Sequence, residues 1–126
     1  EEVRCEEIDT RNADIVIVAY GTSARICREV LKEAKKQSLK IGMIRPITLW
    51  PFPSHCIEKI SESVQSILTV EMSAGQMVQD VRLSVNGKCP VHFYGRTGGG
   101  IPSPKEILHK INELIQVKEK VPCGTS

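Results

Sequence analysis

The sequence predicts an α/β fold: a three-layer α/β/α sandwich around a mostly parallel sheet. Two observations carry this. Residues 15–19, IVIVA, are an unbroken run of apolar, mostly β-branched residues. A strand that is apolar at every position is covered on both faces, as central parallel strands are. A short β-rich run is then followed by a helix-period segment four times along the chain, and the connections between parallel strands are expected to be right-handed. No internal repeat and no long linker divides the 126 residues, so residues 1–126 read as one domain with one core.

Composition excludes several classes. The chain is 40% hydrophobic and 25% charged, as ordinary globular domains are. Its net charge of +2 is too small to argue for nucleic acid or an anionic membrane as partner. No apolar run approaches the roughly 20 residues that a membrane helix needs. The first ten residues, EEVRCEEIDT, are acidic and lack the apolar stretch of a signal peptide. Cys5, Cys27, Cys56, Cys89 and Cys123 are odd in number, dispersed and without a C-x-x-C. They are expected to be unpaired thiols in a reducing cytoplasm, not a disulfide framework, a zinc site or a cluster cradle.

The elements follow in order. Residues 1–10 alternate loosely, with Val3, Cys5 and Ile8 apolar, and suggest an edge strand. After IVIVA, Tyr20-Gly21-Thr22-Ser23 turns the chain, and Thr22 or Ser23 is expected to cap a helix. That helix sets Ile26, Cys27, Val30, Leu31 and Ala34 on one face. Arg25, Arg28, Lys32, Lys35 and Lys36 lie on the other, read as a solvated face. Residues 40–44 form the second core strand.

The stretch 41–53, IGMIRPITLWPFP, draws the eye. Pro46 has no N–H and is expected to end regular pairing there. Trp50 and Phe52 follow, stiffened by Pro51 and Pro53. An aromatic loop of this kind packs on its own domain or on a partner. Pro53 suits a first helical position, and Cys56, Ile57, Ile60 and Val64 mark a short helix. Residues 66–70, SILTV, are a third buried strand ending at Glu71. Ser73 and Gln76 have capping-box spacing before a helix with Ala74, Met77, Val78, Val81 and Val85 inward. Asn86-Gly87 is expected to stop it.

Residues 90–94 form a fourth strand, and 95–100, GRTGGG, a glycine-rich loop. Ser103, Pro104 and Glu106 predict a second capping box. Ile107, Leu108, Ile111, Leu114 and Ile115 form the apolar face of the last helix. The polar tail 118–126 is expected to be disordered.

In parallel α/β sheets, ligands sit outside the carboxyl ends of the strands. Tyr20-Gly21-Thr22, Arg45-Pro46, Glu71 and the glycine loop all fall at that edge. Chemistry there is thin. The first turn has one glycine and lacks G-x-G-x-x-G. The glycine loop carries Ile101-Pro102 where a P-loop needs Lys-Ser/Thr. Arg45 and Glu71 are expected to form an ion pair tying two strand ends or docking a partner. His55, His92 and His109 lack metal-ligand spacing, and no serine sits in G-x-S-x-G. No catalytic, cofactor-binding or metal residue is assigned. Arg45, Trp50, Phe52, Glu71, Gly95, Arg96, Gly98, Gly99 and Gly100 are expected to line an interface. An alternative is a small-molecule module in which Arg45, Arg96 and Lys105 hold an anion or the phosphates of CoA.

AYGTSAR, GMIRPITLWPFP, LTVEMSAGQMVQDVRLSVNGK and FYGRTGGGIPSPKEIL together resemble the C-terminal part of the alpha chain of 2-oxoacid:ferredoxin oxidoreductases. The likeness is strongest to the branched-chain members acting on 2-oxoisovalerate, and it runs over residues 14–114. It implies the transketolase C-terminal-like fold, a five-stranded mostly parallel sheet with one antiparallel edge strand, supplied by residues 3–8. It also implies an enzyme of anaerobes that oxidatively decarboxylates a 2-oxoacid to an acyl-CoA and reduces ferredoxin. Such an enzyme uses thiamine diphosphate, magnesium, CoA and 4Fe-4S iron–sulfur clusters, none of them held by this segment. The implied partners are a pyrimidine-binding domain of the same subunit and beta-, gamma- and delta-type subunits. The start at Glu1 fits a domain boundary in a longer chain. The implied role is structural assembly, inactive in isolation. The same domain of a 2-oxoglutarate or pyruvate paralogue is the remaining alternative.

Overall fold

The structure, a computed structural model, describes residues 5–46, 54–71, 76–95 and 103–120. Among these the order is β1 (Cys5–Ile8), β2 (Ile15–Ala19), α1 (Thr22–Lys36), β3 (Ile41–Pro46), α2 (Ser54–Ser61), β4 (Ser66–Glu71), α3 (Gln76–Val85), β5 (Val91–Gly95) and α4 (Pro104–Lys120). The five strands form one sheet in the order β1-β3-β2-β4-β5. Only β1 runs antiparallel, against β3; the other neighbours are parallel. The predicted sandwich and its antiparallel edge strand are both present.

Alternation along the strands sorts the core into two layers. Ile15, Ile17, Ile41, Met43, Leu68 and Val70 face α1 and α4, where Cys27, Val30, Ile107 and Ile111 meet them. Val16, Val18, Ile44 and Ile67 face α2 and α3, against Ile57, Met77, Val81 and Val85. β2 is buried at all five positions, as the unbroken IVIVA run requires.

Where the elements stop has local causes. α1 begins after Gly21, whose φ of 63° and ψ of −137° suit glycine, and no side chain caps it. The expected Thr22 or Ser23 cap is therefore corrected: both residues lie inside the helix. The other end closes without glycine. Ser38 takes φ 61°, the Leu39 N–H donates to the Ala34 carbonyl at 2.9 Å and the Ser38 N–H to that of Lys35 at 3.1 Å. These are the paired bonds of a Schellman ending, and Leu39 packs on the core beside it. α3 ends as foreseen, with Asn86 and Gly87 both at positive φ.

At α4 the predicted capping box is made in both directions. The Glu106 N–H donates to Ser103 Oγ at 3.2 Å and the Ser103 N–H to Glu106 Oε1 at 3.1 Å. α4 runs to Lys120, and residues 121–126 of the tail lie outside the described residues. The expected Ser73 cap, Pro53 and the WPFP corner lie outside the described residues.

The cysteine reading needs correction. Cys5 on β1 and Cys56 on α2 form a disulfide across 51 residues of sequence. Antiparallel pairing with β3 brings β1 beside α2, a juxtaposition that spacing along the chain does not reveal. Cys27 and Cys89 are free, the first buried and the second half-buried.

Gly42 lets the chain between β1 and β2 cross β3 closely. A Cβ there would lie 2.6 Å from the Asp9 carbonyl oxygen and 2.8 Å from Thr10 Cα, both backbone atoms that cannot swing aside. Gly42→Ala is expected to destabilise the fold by about 1–3 kcal/mol, the usual cost of overpacking. Urea unfolding followed by circular dichroism measures it.

Candidate functional site

Because β2, β3, β4 and β5 run parallel, their carboxyl ends open on one edge, where ligands bind in such sheets. Three of the predicted site residues stand there: Arg45 near the end of β3, Glu71 ending β4 and Gly95 ending β5. Trp50, Phe52, Arg96, Gly98, Gly99 and Gly100 lie outside the described residues.

Arg45 is paired across the sheet. Glu6 is its antiparallel neighbour, and Arg45 Nε donates to Glu6 Oε1 at 2.7 Å. Arg28 of α1 donates to the same oxygen at 3.0 Å. The hydrogen bond from Arg45 and the positive charge of Arg28 hold the Glu6 carboxyl below its usual range. One turn earlier on α1, Arg25 is exposed and has no ion-pair partner among the described residues. Gly21, Thr22, Ala24, Arg25, Arg28 and Arg45 line an open cleft of about 610 Å³. Three guanidiniums face it against the one carboxylate of Glu6. The first turn of α1 carries no acidic residue, so its backbone N–H groups add to the positive field.

Glu71 does different work from that expected. Its side chain is 1% exposed and does not pair with Arg45. Its two oxygens accept from the Met77 and Val78 backbone N–H groups, both at 2.8 Å. These are the second and third residues of α3, whose amides a helix cap normally satisfies. The expected Arg45–Glu71 ion pair is thereby corrected: Glu71 lies on the sheet face that carries α3, whereas Arg45 lies on the face that carries α1. The carboxylate occupies the helix start that an external anion would otherwise take.

Gly95 serves packing. A Cβ there would collide with the ring of Phe93, which lies two residues back on the same face of β5. Lys105 is not near Arg45. It lines a second cleft, of about 500 Å³, with Tyr94, Glu106, His109, Lys110 and Glu113. Of the anion trio foreseen in the sequence, Arg45 and Lys105 thus line different clefts, and Arg96 lies outside the described residues. Arg25 and Arg28 take the place beside Arg45. Their spacing of three on α1 was legible, but nothing local distinguished them from a solvated charged face. His55 is exposed. His92 titrates below its ordinary range, chiefly through burial, and Lys110 and Arg82 add to this. His109 Nε2 lies 3.0 Å from Glu113 one turn on.

Residues 13–107 match the family described as pyruvate:ferredoxin oxidoreductase core domain II. The chain belongs to that family. As a core domain II it is similar to a ketoisovalerate oxidoreductase subunit, VorB, of Methanothermobacter marburgensis, at 41% identity over 90% of this chain and 32% of that protein. It is also similar to a 2-oxoglutarate synthase subunit, KorA, of the same organism, at 37% identity over 81% of this chain and 27% of that protein. The chain thus spans about a third of the length of these curated relatives.

The fold of this core domain II recurs in a 2-oxoglutarate:ferredoxin oxidoreductase from Magnetococcus marinus. The TM-score is 0.77 at 23% identity, over 92% of this chain and 20% of that one. A split-gene transketolase gives a TM-score of 0.75 at 13% identity, over 90% of this chain and 41% of that one. At these identities the likeness shows the fold alone, and that fold is the transketolase C-terminal-like sheet expected. No helix among the described residues is long and apolar enough to cross a membrane.

Glu6 has a depressed pKa in the fold, so its contribution to stability is present above its unfolded value of 4.5 and is lost as pH falls through the folded value. Glu6→Gln is expected to flatten the acid limb of stability below about pH 4.5, read by denaturant midpoints across a pH series. Burial pushes the Cys27 thiol up to about 12, so it is protonated at neutral pH. Iodoacetamide is expected to spare Cys27 in the folded chain and to modify it after unfolding, as peptide mass spectrometry would show.

Proposed function

We propose that this core domain II is the assembly domain of a 2-oxoisovalerate:ferredoxin oxidoreductase. The whole enzyme decarboxylates the branched 2-oxoacid oxidatively, releases the acyl-CoA and passes the electrons to ferredoxin. The observation that carries the substrate choice is the 41% identity, over 90% of the chain, to a ketoisovalerate oxidoreductase subunit. 2-Oxoglutarate synthase subunits are also similar, at lower identity.

The described residues do not fit the cofactors of such an enzyme. An iron–sulfur cluster needs four thiolates. Here Cys5 and Cys56 are joined, and Cys27 is sunk alone in the core of the opposite layer. Thiamine diphosphate needs magnesium and oxygen ligands for its pyrophosphate. The carboxylate at the strand edge, Glu71, is spent on α3. On this reading both groups are held by other domains or subunits, and the described residues carry no chemical step of their own. Its proposed role is to present Arg45 and Gly95, with Trp50, Phe52, Arg96, Gly98, Gly99 and Gly100 from the sequence that follows them, to a pyrimidine-binding domain and to the partner subunits.

In the complete enzyme, Trp50→Ala is expected to weaken subunit association, read as early dissociation in size-exclusion chromatography at falling concentration. Undiminished assembly and activity would overturn the reading.

A second reading is favoured by the three-arginine cleft at the uncapped start of α1. There the edge holds an anion, such as a CoA phosphate, between Arg25, Arg28 and Arg45. Calorimetric titration with CoA separates the two. The assembly reading expects no heat, and the anion reading expects heat that Arg25→Ala abolishes.

A further inference from the structure

We propose that Cys5, Glu7 and Cys56 form a site for a thiophilic divalent cation, zinc above all, which opens when the Cys5–Cys56 disulfide is reduced. The inference goes beyond the assembly reading and does not depend on it.

Geometry brings the three groups together. Cys5 and Glu7 are two residues apart on β1, so their side chains leave the strand on the same face. Cys5 packs against the layer that holds α2, and Cys56 lies in the first turn of α2. One ligand atom from each residue, two sulfurs and a carboxylate oxygen, lies within 4.8 Å of the others. Ligands that share one zinc ion lie within roughly 4 Å of each other, so small side-chain adjustments close the site. Cys5 and Cys56 are half-buried and Glu7 is exposed, which gives an ion a path from solvent. The Thr10 hydroxyl donates to Glu7 Oε1 at 3.0 Å. Such an outer hydrogen bond orients a ligating carboxylate and leaves its other oxygen for the metal.

The donor set selects the ion. Two thiolates and one carboxylate suit zinc and exclude magnesium or calcium, which take oxygen ligands. Water completes a tetrahedron as the fourth ligand.

The chemistry balances in two steps. A dithiol reductant exchanges with the Cys5–Cys56 disulfide, giving two protein thiols and the oxidised, cyclic form of the reductant. The two thiols then bind one zinc ion as thiolates and release two protons. In either state a covalent or coordinate clip ties β1 to α2. That clip matters at the strand edge, because β1 also carries Glu6, the partner of Arg45 and Arg28.

The test uses the chain reduced by a dithiol and desalted under nitrogen, with Co²⁺ as the probe. Reduced chain is expected to bind one Co²⁺ with a thiolate-to-cobalt charge-transfer band that Zn²⁺ displaces, and oxidised chain to show no band. Cys56→Ser is expected to abolish the band, and Glu7→Gln to weaken Co²⁺ binding about tenfold or more. No band in the reduced chain, or a band that survives in Cys56→Ser, would overturn the proposal. If Cys56→Ser fails to fold, alkylation of the reduced wild-type chain decides. Zn²⁺ is expected to protect Cys5 and Cys56 from iodoacetamide, and equal modification with and without the ion would overturn the site.

Discussion

β2 is enclosed on every side: β3 and β4 flank it, and a helix layer covers each face. Its five residues are between 0% and 2% exposed. A strand this apolar is stable only when both faces are covered, and parallel neighbours reached through helical crossovers provide that cover. The rest of the domain follows from this enclosure. Each crossover helix starts just beyond the carboxyl end of a strand, so helix starts, turn residues and strand-end charges converge on one edge.

The edge treats its helix starts in opposite ways. The first amides of α3 are taken by Glu71, a buried carboxylate from the strand before it. The amides of α1 begin at a bare Gly21, with three guanidiniums nearby and one shared carboxylate, Glu6. Two acidic residues thus have distinct tasks. Glu71 holds a helix on its strand, whereas Glu6 gathers two arginines without neutralising the field around them. A surface left positive in this way favours an anionic group from outside, whether a carboxylate of a neighbouring subunit or a phosphate.

β1 is the weakest member of the sheet. It has four residues, runs against the parallel grain and is only half-buried. Its alternation nevertheless serves both layers: Glu6 and Ile8 face the α1 side, while Cys5 and Glu7 face the α2 side. The tie from Cys5 to Cys56 fastens this strand to a helix outside its own hydrogen-bonded ladder. The charge of Glu7 at its exposed position also discourages pairing with another chain.

The layered fold, the elements and the core were legible in the sequence, because each is written in local periodicity. IVIVA needs two covered faces wherever it lies. The Ser103–Glu106 box and the Asn86-Gly87 stop depend on neighbours three or fewer residues away. The family, too, was legible from motifs spread through the chain. Partnerships between distant segments were not. Arg45 joins Glu6 because an antiparallel edge strand sets them opposite each other. Glu71 turns to α3 because it leaves the sheet on that side, and Cys5 meets Cys56 because β1 lies over the start of α2. The first and last of these cross 39 and 51 residues of sequence and the second only six or seven, and in each the packed sheet, with its register and its two faces, decides which groups touch.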